Sequence, residues 1–341
     1  MMHSGNVLVA ESDGYIVSSH GQRTMTLRLE KNLSIMETYE NEGITIHSVE
    51  GKEAGEDFTV FGSVHGNEFC GAQALERVLQ DIGAGKIRIK AGTFTCVPVA
   101  NPLAAEQKKR FVEHNLNRAF YIREDNEISC QEHRFANVLA PLLQKSGGYF
   151  LDLHSYTAQG SAFAILGGEM SEKYKAFAKS LGVLRLIYGW GSVVKKDKTN
   201  EDARTGQGTV NYARLPENGM YSITLECGHH HNADAAEIGY QATLNVLKML
   251  DIADIDEELH DQNVLDGEQY SINLKNVQFK TRDGAFSRDW INMDSVKRGQ
   301  EIAVFDDGEK LTAAEDGFIV LPNMNASIND EWFFFGVRED L

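Results

Sequence analysis

The chain has 341 residues and a formal charge of −17, with 42% hydrophobic and 24% charged side chains. This is the balance of a globular protein with a sizeable core, which excludes a disordered chain, and an acidic surface argues against a nucleic-acid partner. No apolar run approaches the roughly 18 residues of a membrane span, and the start, MMHSGNVLVAESDG, lacks a basic and long apolar stretch, so a cytoplasmic location without membrane contact is expected.

The first 50 residues predict strands. NVLVA, YIVSS and TMTLRLE are separated by the turn formers Ser12-Asp13-Gly14 and His20-Gly21. Strands and helices then alternate. FTVFGSV (58–64) is a short apolar run of strand type, and Leu75, Val78, Leu79 and Ile82 recur at helical spacing. TFTCVPVAN (93–101) predicts a second strand ending at Asn101-Pro102. Phe135, Val138, Leu139, Leu142 and Leu143 mark a helix that Pro141 kinks or delimits. GYFLDLHS (148–155) is a third strand. Tyr174, Phe177, Ala178 and Leu181 form a helical stripe opened by Ser171 and closed by Gly182. YSITLECG (221–228) is a further strand, followed by a helix reaching Leu250.

The alternation predicts an α/β fold with a largely parallel central sheet covered by helices on both faces. Beyond residue 260 the texture becomes all-β, with VQFKT, EIAVF, FIVLP and WFFFGV divided by Asp307-Gly308 and Asp316-Gly317 turns. Three units are expected: a β extension over 1–50 packed on the main domain, an α/β domain over 51–260, and a small all-β C-terminal domain over 261–341. The acidic run DIADIDEELHDQ (251–262) marks the junction. Cysteines at 70, 96, 130 and 227 are scattered without a CxxC pair, which fits free, buried thiols.

Ligands of such sheets bind beyond the carboxyl ends of the strands, so the polar residues there carry the functional reading. His65 and Glu68 follow the FTVFGSV strand at a spacing that lets both face one ion. That spacing alone is weak, because His47 and Glu50 repeat it. His154, ending the GYFLDLHS strand, adds a second imidazole, and two imidazoles, one carboxylate and an open position make a catalytic zinc shell. Glu226 closes an apolar strand, where a carboxylate is costly without a partner or a role. Arg110, Asn115, Asn117 and Arg118 follow Asn101-Pro102, and arginine forks suit carboxylates and developing oxyanions. Each has a plainer alternative: a core histidine, a carboxylate at a helix start, a solvated basic loop.

HGNE, NP, an arginine ahead of NLNR, DLHS and LECG appear in that order. Together they resemble the succinylglutamate desuccinylase/aspartoacylase family, relatives of the zinc carboxypeptidases, over about residues 55 to 250. The VLPN and WFFFGV segments resemble that family's small C-terminal domain. The resemblance implies a mixed, largely parallel sheet of zinc-carboxypeptidase type and one Zn2+ per chain held by His65, Glu68 and His154. It implies Glu226 as the catalytic glutamate, Arg110 as the group polarising the scissile carbonyl, and Asn117 and Arg118 as the grip on a substrate carboxylate. Asn115 departs from the pattern, since the family usually has an aspartate that orients a metal-bound histidine.

The activity so implied is hydrolysis of an amide in a small anionic, carboxylate-bearing substrate, an N-acyl amino acid. The alternatives are carboxypeptidase action on short peptides and a binding protein weakened at Asn115. A metal-independent hydrolase is disfavoured, because no GxSxG elbow is present. A homo-oligomer is compatible with the sequence.

Overall fold

The computed structural model describes residues 16–17, 23–29, 34–168, 170–194, 207–259 and 267–340. The expected NVLVA strand and the end of the acidic junction lie outside these residues. Strands β1 (Ile16–Val17), β2 (Arg23–Leu29), β3 (Ser34–Asn41) and β4 (Ile44–Glu50) form an antiparallel meander. The alternating part begins with β5 (Glu53–Phe61), α1 (Cys70–Gly83), β6 (Ile87–Ile89), β7 (Ala91–Val97), α2 (Pro102–Glu106), α3 (Gln131–Leu139) and β8 (Tyr149–Tyr156). It continues through β9 (Phe163–Ile165), α4 (Glu172–Ser180), β10 (Arg185–Tyr188), α5 (Trp190–Val194), α6 (Thr209–Ala213), β11 (Tyr221–His229), α7 (Ala235–Met249) and β12 (Ala253–Ile255). The tail adds β13 (Tyr270–Phe279), β14 (Gly284–Phe286), β15 (Asp294–Val296), β16 (Glu301–Phe305), β17 (Lys310–Thr312), β18 (Gly317–Val320) and β19 (Glu331–Arg338).

Local chemistry sets several boundaries. Ser171 caps α4 by accepting the Tyr174 N–H, and Gly182 beyond the helix takes a φ of +76°. Helix α3 stops at Leu139, and Pro141 sits in the 3-10 turn that follows.

The main sheet has 14 strands in the order β1-β2-β3-β4-β7-β5-β8-β11-β9-β10-β13-β19-β18-β15. Its centre is parallel, with β5 paired to β7 and β8, and β8 to β11. Strand β9 runs antiparallel to β11, so the sheet is mixed. The period of two along the strands sorts side chains between the faces. Phe58, Val60, Leu151, Leu153, Ile223 and Leu225 pack under α1, α4 and α7. Phe61, Val97 and Phe150 turn to the other face, under α3 and α6. Asp152 and His154 continue the Phe150 face, as Glu226 does on β11 beside it.

The tail has its own cluster around Trp290, Ile302, Phe305, Trp332 and Phe335. It also extends the main sheet, because β13 lies parallel to β10 and antiparallel to β19. The acidic stretch after α7 is more than a connection. Strand β12 pairs with β6, and Asp254 and Asp256 meet Lys90 and Arg88 at 3.1 and 2.7 Å.

Candidate active site

The turn after β5 is shaped by close main-chain approach. Ser63 has a φ of +45°, a costly conformation held by its hydroxyl, which donates to the Glu68 carbonyl at 3.0 Å. A Cβ on Gly66 would fall 2.0 Å from the Ala104 carbonyl carbon, so only glycine lets this turn press against α2. Asn101 caps α2 by accepting the Ala104 N–H at 3.1 Å, with Pro102 in the first helical turn. The Asn-Pro pair thus places the loop that runs on to Arg110, whose carbonyl accepts the Gly66 N–H at 3.3 Å.

On this scaffold His65, Glu68 and His154 converge. One donor atom from each lies within 4.8 Å of the others, and all three side chains are buried. His65 Nδ1 is 2.9 Å from Glu68 Oε1, and His154 Nδ1 is 2.8 Å from Oε2. The Ser155 N–H also donates to Oε2, at 3.1 Å. The outer nitrogens of both rings face side-chain oxygens. His65 Nε2 is 3.2 Å from Asn115 Oδ1. His154 Nε2 is 2.8 Å from Asp152 Oδ2, at ion-pair distance but off the line of a good hydrogen bond. Two imidazoles and a carboxylate, with the far nitrogens steadied by oxygen acceptors, fit a divalent ion of zinc type.

Burial pushes the His65 imidazole down to about 4, against the pull of Glu68. Burial disfavours charge on His154 too, but Asp152 and Glu68 hold its imidazolium well above the ordinary range. Burial works to raise Glu68, and the two imidazoles outweigh it, keeping the carboxyl well below the usual carboxylate range.

Glu226 stands beside His154 in the β8–β11 register. Its Oε2 is cut off from solvent and has no hydrogen-bond partner among the described residues. Burial pushes its carboxyl up to about 7, with His154 opposing and Glu68 reinforcing. Arg110 reaches in from the loop, half exposed, and donates to Glu68 Oε1 at 3.0 Å. Asn117 lies in the 3-10 turn Leu116–Arg118, and its Oδ1 accepts the Thr209 N–H at 3.0 Å. Arg118 is exposed and donates to the Asn117 carbonyl at 2.6 Å. His47 of the rival pair lies on β4, 3.1 Å from Thr38 Oγ1, apart from this group.

The structure adds residues that the sequence reading passed over. Asp152 is two positions before His154 on one strand, so DLH carried a same-face signal. Glu132, fully buried on α3, accepts the Val112 and Glu113 N–H groups at 2.8 and 3.2 Å and so fixes the loop beyond Arg110. His230 Nδ1 is 2.8 Å from Ser155 Oγ. Thr209 and Glu132 had no local signal, since their partners are far along the chain.

A mixed α/β sheet with two histidines and two glutamates gathered at its carboxyl edge defines a candidate metal-site protein. The chain belongs to the family of the succinylglutamate desuccinylase/aspartoacylase catalytic domain, whose profile matches residues 54–252. Succinylglutamate desuccinylase from Pseudomonas putida (strain GB-1) is 30% identical over 95 residues, which is 28% of each chain. The N-acyl-aromatic-L-amino acid amidohydrolase (carboxylate-forming) of Rattus norvegicus is 31% identical over 116 residues, 31% of this chain and 35% of that one. The chain therefore aligns with only about a third of the length of these curated relatives.

A solved succinylglutamate desuccinylase/aspartoacylase from Rhodobacter sphaeroides matches 94% of both chains with a TM-score of 0.67 at 16% identity. The product-bound ectoine utilization protein EutE (DoeB) from Ruegeria pomeroyi matches 94% of this chain and 97% of its own, with a TM-score of 0.65 at 19% identity. These likenesses establish the fold. Among the described residues no helix is long and apolar enough to cross a membrane.

Proposed function

We propose that this protein is a zinc-dependent hydrolase that cuts an amide bond in a small carboxylate-bearing substrate, removing the acyl group from an N-acyl amino acid. The observation that carries the reading is the half-shell of His65, Glu68 and His154 with the unpartnered Oε2 of Glu226 beside it. The names of the relatives support the reaction class, since desuccinylases and amidohydrolases release an acyl group from nitrogen.

His65, Glu68 and His154 would hold one zinc ion, which when bound supplies Lewis acidity for activating water and polarising a carbonyl. Glu226 takes the proton of the attacking water on its free oxygen and returns it to the leaving nitrogen. A carboxyl with a pKa near 7 is suited to both transfers. Arg110, five donors on a half-exposed fork, stands beside Glu68 to stabilise negative charge growing on the carbonyl oxygen. Arg118 and the amide NH2 of Asn117 hold the substrate carboxylate and fix the scissile bond in place. Asn115, for all its weaker acceptance, keeps contact with His65, which favours the enzyme over a binding protein that has lost catalysis.

The test is metal analysis of protein purified without chelator, followed by a panel of N-acyl amino acids and short peptides. One zinc per chain and release of carboxylate and free amino acid, abolished by chelator and restored by zinc, are expected. Peptide trimming alone moves the assignment to a carboxypeptidase. Failure to bind zinc, or to hydrolyse any amide, overturns the reading.

A further inference from the structure

We infer that Thr209 is a positioning residue that ties the carboxylate grip of the site to its metal-holding end by closing a ring of polar contacts. The inference rests on the proposed hydrolase reading and assigns a role to a residue outside its machinery. Thr209 opens α6 and is fully buried. Its hydroxyl donates to Asp152 Oδ2, and its main-chain N–H donates to Asn117 Oδ1 at 3.0 Å. The hydroxyl also lies 3.3 Å from Asn117 Oδ1, but it has one proton, and a carboxylate is the stronger acceptor.

This division fixes both neighbours. With its oxygen taken by a main-chain N–H, the Asn117 amide presents its NH2 as the end left for a substrate carboxylate. Asp152 is fully buried and its Oδ1 has no hydrogen-bond partner among the described residues, so its Oδ2 is held by the Thr209 hydroxyl and the His154 ring. Asn117 closes the other side, because its own N–H donates to Asn115 Oδ1 at 3.0 Å, the atom that meets His65. The ring runs His65, Asn115, Asn117, Thr209, Asp152, His154, Glu68 and back to His65. Gly208 belongs to it as well, since a Cβ there would stand 2.8 Å from Asn117 Oδ1.

Two substitutions in the full chain separate the two arms. Thr209→Val keeps shape and main-chain N–H but removes the hydroxyl. Its zinc affinity, read by chelator competition, should fall about 10- to 100-fold, with KM for the best N-acyl amino acid little changed. Thr209→Ser should restore the affinity to near wild type. Gly208→Ala, pressing on the Asn117 side-chain and main-chain oxygens, should raise KM by a larger factor than it lowers zinc affinity. If the valine variant does not fold, Thr209→Ala provides the hydroxyl-free measurement.

Wild-type zinc affinity in the hydroxyl-free variant overturns the metal arm. An equal loss in valine and serine variants also overturns it, by showing packing alone at work. An unmoved KM in Gly208→Ala overturns the carboxylate arm. A wild-type chain that binds no zinc sinks the hydrolase reading first, so the two failures are distinguishable.

Discussion

The centre of the main sheet and the tail at its far end use the same acidic side chains in opposite ways. Glu68 and Asp152 at the carboxyl edge of β5 and β8, and Glu132 on α3, are buried and held by imidazoles, hydroxyls or main-chain N–H groups. In the tail, Asp316, Asp294 and Glu301 meet the exposed Lys297, Arg288 and Lys310 at 2.8 to 2.9 Å, in pairs open to solvent on at least one side. A buried charge that loses its partner stays desolvated and is expensive, whereas an exposed pair is screened and its net worth is small. Beyond arguing against a nucleic-acid partner, the −17 net charge therefore says little about function, and the few carboxylates taken out of water say most.

The sharpest way to break this contrast is Glu226→Gln. The change removes a proton carrier while preserving shape, so kcat should fall on the order of a hundredfold or more, with zinc content and melting temperature unchanged. Full activity in the variant removes Glu226 from the chemistry. Glu132→Ala comes next. It strands two main-chain donors of the loop that follows Arg110, which should cost about 1–3 kcal/mol in denaturant unfolding. Misplacement of Arg110 should lower kcat roughly tenfold. Glu132→Gln keeps an oxygen acceptor and should recover most of both; if alanine and wild type unfold together, the anchoring account is wrong.

Asn115→Asp tests the same region by a gain. The present amide already accepts from His65 Nε2 and the Asn117 N–H. A full carboxylate is the stronger acceptor, so zinc affinity by chelator competition should rise several-fold. A fall would mean that added negative charge beside Glu68 outweighs the better hydrogen bond.

What the sequence disclosed follows the same physics. The central strands were legible because apolar runs such as FTVFGSV and YSITLECG must be buried on both faces, and their polar ends then mark the carboxyl edge. His65 and Glu68, singled out as a pair, and His154, added as a third ligand, come together there. The three- and four-residue strands β9 and β10 escaped notice, being too short to show periodicity. The tail read as a separate all-β unit because its turns are clear, whereas the β10–β13 pairing that joins it to the main sheet is a long-range contact. Thr209 and Glu132 were silent for a related reason: a buried polar group is explained only by its partner, and theirs lie 57 and 20 residues away.

Glu339 gives the smallest effect and the best control. It lies at the surface just past β19, accepting hydrogen bonds from Tyr188 on β10 at 2.9 Å and from Asn273 on β13 at 2.8 Å, beside an ion pair with Lys275. Lys275 first, then Asn273 and Tyr188, pull its carboxyl down from 4.5 to about 2. A carboxyl depressed in the folded state binds its proton more readily when unfolded, so its stabilisation is complete above about pH 4.5 and is lost as pH falls toward 2. Glu339→Gln should therefore lower the melting temperature slightly at pH 7, with the gap to wild type closing as the pH falls from about 4.5 toward 2. Zinc affinity and kcat should not move, because the clamp's partners Tyr188, Asn273 and Lys275 are none of the groups that surround Glu226. A gap that widens on acidification would show that Glu339 is not the proton-linked clamp its contacts describe, and that exposed carboxylates here matter more than the comparison with the buried ones allows.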